Sequence, residues 1–228
     1  MTLVRISSEE LGEKEKLEIN KEKVNARKGY LVAKRCMDFI GAIIGLILLS
    51  PVLLIVAALI KYEDPKGSVF FKQIRVGKDG DKFHMYKFRS MVTDAEEKLN
   101  ELLKYNEASG AMFKIKEDPR ITRIGKFIRK TSIDELPQLI NVLKGDMSLV
   151  GPRPPLLREV EEYTNYDKQR LLVTPGCTGI WQVSGRNNLG FKEMVELDLQ
   201  YIQNRSLKYD CLIILKTIKI MFKPNDAY

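Results

Sequence analysis

GLILLSPVLLIVAALI, residues 45–60, carries a serine–proline pair, Ser50-Pro51, inside an otherwise apolar stretch. How it folds decides the architecture, because it fixes on which side of a membrane each flank lies. Phe39 to Ile60 contains no charged residue. At a rise of about 1.5 Å per residue the run would make about 33 Å of helix, enough to cross a hydrocarbon core of about 30 Å. A soluble helix that long with no polar face is unusual, so the segment is expected to enter a membrane. Pro51 has no N–H, so the carbonyl of Ile47 loses its helical partner, and Ser50, preceding proline, is biased away from helical dihedrals. The Ser50 hydroxyl can bond back to a freed carbonyl, which makes a bend tolerable in lipid. The break would give Phe39–Ser50 and Pro51–Ile60, roughly 18 and 15 Å long, each about half a bilayer. Both flanks are basic: Lys21, Lys23, Arg27, Lys28, Lys34 and Arg35 before the run, Lys61, Lys66, Lys72, Arg75 and Lys78 after it. Basic residues mark the cytoplasmic side, and here neither end is marked as the outside. These residues alone leave a spanning helix and a re-entrant one both open.

Around this segment the chain divides into a polar lead-in at 1–30 without the pattern of a cleavable signal peptide, a membrane segment at 31–61, and a domain at 62–228. Of the 228 residues 44% are hydrophobic, which suits a domain with a core, and the net charge of +8 favours an anionic partner. A single histidine, His84, excludes chemistry that needs two. Cys36, Cys177 and Cys211 fit no metal-ligand spacing and read as reduced structural thiols.

In the domain, VFFKQIRVG and KFHMYKFRSM flank the turn sequence GKDGD and predict a β-hairpin within 68–91. Its cations Lys72, Arg75, Lys87 and Arg89 form either a solvated basic face or a phosphate-binding edge. Thr93 and Glu96 have capping-box spacing and predict a helix over 93–107. In TSIDELPQLINVLKGD, residues 131–146, Leu136, Leu139, Ile140 and Leu143 recur at helical spacing and Gly145 is a stop. Pro137 belongs in the first turn, which puts Asp134 and Glu135 at the helix start. Ser132 and Glu135 could form a capping box there. The surrounding Arg120, Arg123, Lys126, Arg129, Lys130 and Arg153 permit a second reading, an anion site in which a carboxylate attacks phosphorus and its neighbour holds Mg²⁺. Residues 191–204 read as a helix, and 207–224 as a basic amphipathic helix that packs on the domain or lies on an anionic membrane surface.

RKTSIDELPQLINVLKGDMSLVGPRP, then TPGCTGIWQVSGRN, then ELDLQYIQNRSLKYDCLIILKTI, preceded by the apolar segment and hairpin, resembles the bacterial sugar transferase family, the monotopic phosphoglycosyl transferases. The resemblance covers about residues 31–224 and several motifs in order; larger members carry further transmembrane helices and another domain ahead of this core, so the chain resembles the minimal form. It implies an α/β (α+β) fold: a re-entrant membrane helix–break–helix followed by a small mixed α/β catalytic domain with amphipathic interfacial helices. It implies an enzyme that takes a sugar-1-phosphate from a UDP-sugar, with Mg²⁺, and passes it to a membrane polyprenyl phosphate such as undecaprenyl phosphate, at the cytoplasmic face of a bacterial inner membrane. By resemblance Asp134 is the nucleophile and Glu135 the second acid, the two serving the metal. Lys87, Arg89, Arg129, Pro152, Arg153, Pro154, Arg186 and Asp198 match substrate-contacting positions.

Each of these has a plainer alternative. The prolines could shape a loop, Arg186 could cap a helix, Asp198 could face solvent, and Trp181 could pack. Two other functions compete. A membrane-anchored nucleic-acid binder is disfavoured because the cations cluster around carboxylates. A membrane scaffold would have no use for the acid pair. The chemistry also weighs on the opening segment: a cytosolic nucleotide sugar and an inner-leaflet lipid phosphate favour re-entry, with Ser50 and Pro51 at the turning point.

Overall fold

The computed structural model describes residues 18–102, 104, 115, 117–185 and 189–221. A short helix α1, Lys21–Ala26, begins where Asn20 caps it by accepting from the amides of Glu22 and Lys23. Helix α2, Lys28–Glu63, follows and contains Pro51. The expected interruption at Ser50-Pro51 is therefore corrected: the helix is continuous through the proline. The reason is the compensation that the sequence offered. Ser50 Oγ donates to the carbonyl of Ile47 at 2.8 Å, which is the carbonyl that Pro51 leaves without an amide. With that acceptor satisfied, the rest of the helix propagates.

One stripe of α2 meets the domain on both sides of the proline. Before it, Lys34, Asp38 and Ala42 are buried; after it, Val56 and Ile60 are. Ile40, Ile44, Ile47, Leu48, Leu54 and Ile55 stay exposed. At 36 residues the helix is about 54 Å long. Its apolar outer strip has nothing against it among the described residues.

The expected hairpin is present. Strands β1, Phe70–Val76, and β2, Lys82–Phe88, pair antiparallel with Gln73 opposite Met85 and Arg75 opposite Phe83. Alternation along β2 sends Phe88 into a cluster with Val56, Ile60 and Ile128 under the second half of α2, and points Met85 and Lys87 the other way. The helix expected over 93–107 is largely corrected. Residues 93–98 are turns and only α3, Leu99–Leu102, is helical, while 103 and 105–107 lie outside the described residues. Arg120 explains the loss: its Nη1 takes the Ala95 carbonyl at 3.2 Å, and Leu99 bonds instead to Glu96.

Helix α4, Arg123–Lys130, is capped by Thr122 and lies so close to the hairpin that a Cβ on Gly125 would meet the Ser90 carbonyl oxygen at 2.0 Å. Ile124 and Ile128 face α2. A 3-10 turn, Ile133–Glu135, leads to α5, Gln138–Lys144, which ends at Gly145 with φ of 93°. Strand β3, Ser148–Val150, pairs in parallel with β4, Gly176–Thr178. Between them lie α6, Leu157–Glu161, and a 3-10 segment, Asp167–Leu172. Helices α7, Ile180–Ser184, α8, Phe191–Asn204, and α9, Leu207–Met221, complete the chain; residues 222–224 of the expected last helix lie outside the described residues. The largest core cluster joins Val150 of β3 to Val195, Leu199 and Ile202 of α8 and Ile213 of α9. The architecture is thus mixed α/β with one long apolar N-terminal helix and two small sheets among the described residues.

Candidate active site

The acid pair sits on the 3-10 turn that joins α4 to α5. Ser132 enters it in the left-handed region, φ 56°, and its side chain caps nothing. The capping box that its spacing allowed with Glu135 is therefore absent. Glu135 pairs instead with Lys87 of β2, Nζ to Oε1 at 2.6 Å. Asp134 points inward and is 7% exposed. Its neighbour Ile133 packs against the cluster of Val56, Ile60, Phe88 and Ile128, so the turn rests directly on the second half of α2.

Burial raises the Asp134 pKa to about 6; Lys87 pulls it down, Glu135 pushes it up, and Arg129 pulls it down in turn. Glu135 moves the other way. Desolvation would raise it, but Lys87, and then Arg153 and Arg75, outweigh that and hold it below the usual range. Adjacent carboxylates thus have different characters: one ionises reluctantly, the other stays charged.

A cavity of about 100 Å³ opens beside Glu135, with Lys87, Gln138, Arg153, Cys177 and Trp181 in its wall. Ligand pockets usually exceed about 300 Å³, so a nucleotide-sized ligand must extend beyond this one. Arg153 is one-third exposed there and lies 3.5 Å from Glu159. Its loop is fixed by its backbone: the Pro152 carbonyl accepts from Gly176 N at 2.8 Å, and the Pro154 carbonyl from Arg75 Nη1 at 3.0 Å.

The other expected site residues divide. Lys87, Glu135, Arg153 and Pro154 share the cavity, and Pro152 braces its loop. Arg129 acts on Asp134 by charge from α4 and does not line the cavity. Arg89 is buried at the hairpin's base, bound to the Asp64 carboxylate and the Ser68 carbonyl, away from the cavity. Asp198 is 1% exposed, which rules out the solvent-facing alternative; it pairs with Arg170 at 2.6 Å. Arg186 lies outside the described residues. The sequence reading placed Arg75 on a possible phosphate-binding edge of the hairpin, and it passed over Gln138, Glu159 and Arg170 as site candidates. Gln138 had a signal, one helical turn beyond Asp134. For Arg170 and Glu159 there was none, because their partners are set by tertiary folding.

Among the described residues no group of three or more His, Cys, Asp or Glu side chains converges as a metal cage. Two adjacent carboxylates, one held ionised, do suit Mg²⁺, which takes one or two carboxylates and completes its shell with water and phosphate oxygens. Asp134 and Glu135 are the residues that would hold it.

A family model described as bacterial sugar transferase matches residues 29–224. The galactosyl transferase CpsE of Streptococcus agalactiae is 53% identical over 199 residues, 87% of this chain and 44% of that relative. The UDP-N-acetylgalactosamine-undecaprenyl-phosphate N-acetylgalactosaminephosphotransferase of Aeromonas hydrophila is 43% identical over 206 residues, 87% of this chain and 45% of that relative. The exopolysaccharide production protein ExoY of Rhizobium meliloti is 42% identical over 201 residues, 86% of this chain and 88% of that relative. The chain therefore spans less than half the length of the first two relatives and most of the third.

Proposed function

The chain belongs to the bacterial sugar transferase family, and on that premise we propose that it moves a sugar-1-phosphate from a UDP-sugar to a membrane polyprenyl phosphate. The observation that carries the reading is the buried Asp134 beside an ionised Glu135, with Lys87 and Arg153 at the cavity. That arrangement suits attack on a phosphorus whose oxygens are neutralised by fixed cations. A carboxylate oxygen of Asp134 attacks the β-phosphorus. The bond from that phosphorus to the oxygen bridging to the α-phosphate breaks, and UMP leaves with the electron pair. A phosphate oxygen of the lipid then attacks the same phosphorus, forms the diphosphate linkage and returns the Asp134 carboxylate. Mg²⁺, held by Glu135 and Asp134, would supply charge neutralisation at the diphosphate. The relatives' names support both substrates: one names a UDP-sugar with undecaprenyl phosphate, another exopolysaccharide production.

The membrane reading has its own support. The two ends of α2 pack on one domain, through Lys34 and Asp38 before Pro51 and through Val56 and Ile60 after it. A spanning helix would carry one end to the far side of the bilayer. We take the apolar outer strip of α2 to lie in one leaflet of the inner membrane, with the domain on the cytoplasmic face, where nucleotide sugars are. Ile133 then brings the acid pair to the lipid surface. Purified protein in nanodiscs, given UDP-sugar without lipid acceptor, should release about one equivalent of UMP, and Asp134→Asn should release none. UMP release that strictly requires the acceptor would count against the covalent intermediate.

A further inference from the structure

Glu159 and Asp198 do not reach the cavity, yet they stand in a line of alternating charge that ends there. Arg153 Nη1 lies 3.5 Å from Glu159 Oε2. Glu159 is 3% exposed, and the same oxygen accepts from the Leu156 amide at 2.8 Å, so its carboxylate is fixed by the start of α6. Behind it lies buried Arg170, which feels the charge of Glu159. Arg170 donates through Nη1 to the Tyr163 hydroxyl at 2.8 Å and through Nε and Nη2 to Asp198 Oδ2 at 2.8 and 2.6 Å. The order from the cavity inward is cation, anion, cation, anion. Removing Arg170 or Asp198 leaves the other buried without its ion-pair partner, whereas removing Glu159 frees the partly exposed Arg153 and leaves that inner pair intact.

The backbone of the loop 152–154 is held independently, by Arg75 and Gly176. What that bracing does not fix is the side chain of Arg153, long and one-third exposed. An arginine loses much of its rotamer freedom when a ligand orders it. Glu159 prepays part of that ordering, since it is the carboxylate within ion-pair distance of Arg153 among the described residues.

We propose that Glu159 is a positioning residue that holds the Arg153 guanidinium ready for a phosphate of the donor nucleotide, and that Asp198, paired with Arg170 behind it, acts on the site by charge and not by touching substrate. This rests on the transferase reading above. It gives Asp198 a role other than the substrate contact expected from resemblance, and adds a residue that no motif marked.

The test is UMP binding by calorimetry on the full chain in nanodiscs, with donor KM and kcat alongside. Glu159→Gln keeps an acceptor for the Leu156 amide and removes the charge. UMP affinity should fall about tenfold and donor KM rise as much, with kcat changed by less than about twofold. Arg153→Ala should weaken UMP further, and adding Glu159→Gln to it should change nothing more, within about twofold. Asp198→Asn should shift KM in the same direction by a smaller factor. Losses that multiply in the double variant would overturn the proposal. So would a Glu159→Gln protein that melts earlier but binds UMP as the parent does. Parent protein that binds no UMP would instead defeat the transferase reading itself.

Discussion

Two buried aspartates are treated oppositely by this fold. Asp210 of α9 is fully enclosed, and every oxygen is used: Lys34 Nζ at 3.2 Å and the Tyr30 hydroxyl at 2.9 Å on Oδ2, the Tyr201 hydroxyl at 2.7 Å on Oδ1. Asp134 is nearly as buried, but Lys87, whose charge favours its ionised form, is paired with Glu135, and the Asp134 pKa is left raised at about 6. Asp210 ties the first half of α2 to α8 and α9, so its charge serves structure. Asp134 is buried in the middle of a short turn with its pKa raised, so its charged form costs stability, as that of a group kept for chemistry would. The second half of α2 gives a third contrast: it is held by Val56 and Ile60 against Phe88 and Ile128, with apolar area in place of ions.

If that contrast is right, the largest effect on folding comes from the paired aspartate. Asp210→Asn removes the nearer counter-charge of buried Lys34, leaving only Asp38 at 3.9 Å, and should cost about 3 kcal/mol, read from urea unfolding in detergent. The apolar pair Lys34→Met with Asp210→Leu should recover only part of that loss, because Asp38 then stays buried without its cation. A single variant as stable as the parent would break the comparison.

The same chemical change at Asp134 should have the opposite sign. Asp134→Asn should abolish turnover and yet raise Tm by about 2–4 °C at pH 7.5. Because the folded pKa lies above the unfolded one, the fold gains relative stability as pH drops below about 6 and the Asp134 carboxylate takes up its proton. The variant's advantage should therefore shrink toward pH 4.5. Turnover by the parent should fall about tenfold per pH unit below about 6, as the nucleophile is protonated. A pH–rate profile flat from 7 to 5 would remove Asp134 from that role.

Although α5 begins only at Gln138, with Pro137 as its cap and the acid pair on the 3-10 turn before it, local signals carried the hairpin, helix α8 with its limits at 191 and 204 and the stop at Gly145. Each depends on periodicity or on one turn residue, which a sequence displays. The misses share a physical cause: a distant group overrode a valid local signal. Lys87, 48 residues away, took Glu135 from the capping box that Ser132 offered. Arg120 took the carbonyl that a helix from Thr93 needed. Asp198 looked like a surface helix position until Arg170, 28 residues earlier, came to bury it. Arg89 carried the right charge on the hairpin, but Asp64 at the end of α2 claimed it.

The smallest expected effect concerns the feature that looked decisive in the sequence. Pro51 lies between two anchored ends of one helix, and Ser50 already satisfies the carbonyl the proline frees. Pro51→Ala restores an amide to Ile47 and removes a ring clash, so it straightens a segment that is helical already. The positions of both ends are set elsewhere, by Lys34 with Asp210 and by Val56 and Ile60 with Phe88. Residue 25, changed to cysteine in a background without the native thiols, should therefore stay on the domain's side of the membrane in Pro51→Ala, as judged by a membrane-impermeant maleimide on oriented vesicles. Adding Asp210→Asn should let a measurable fraction cross, because it weakens the anchoring of the first half of α2, which then rests on Asp38 and Arg35. If Pro51→Ala alone relocates residue 25, topology is governed by the proline and the buried ion pair is merely a consequence of it.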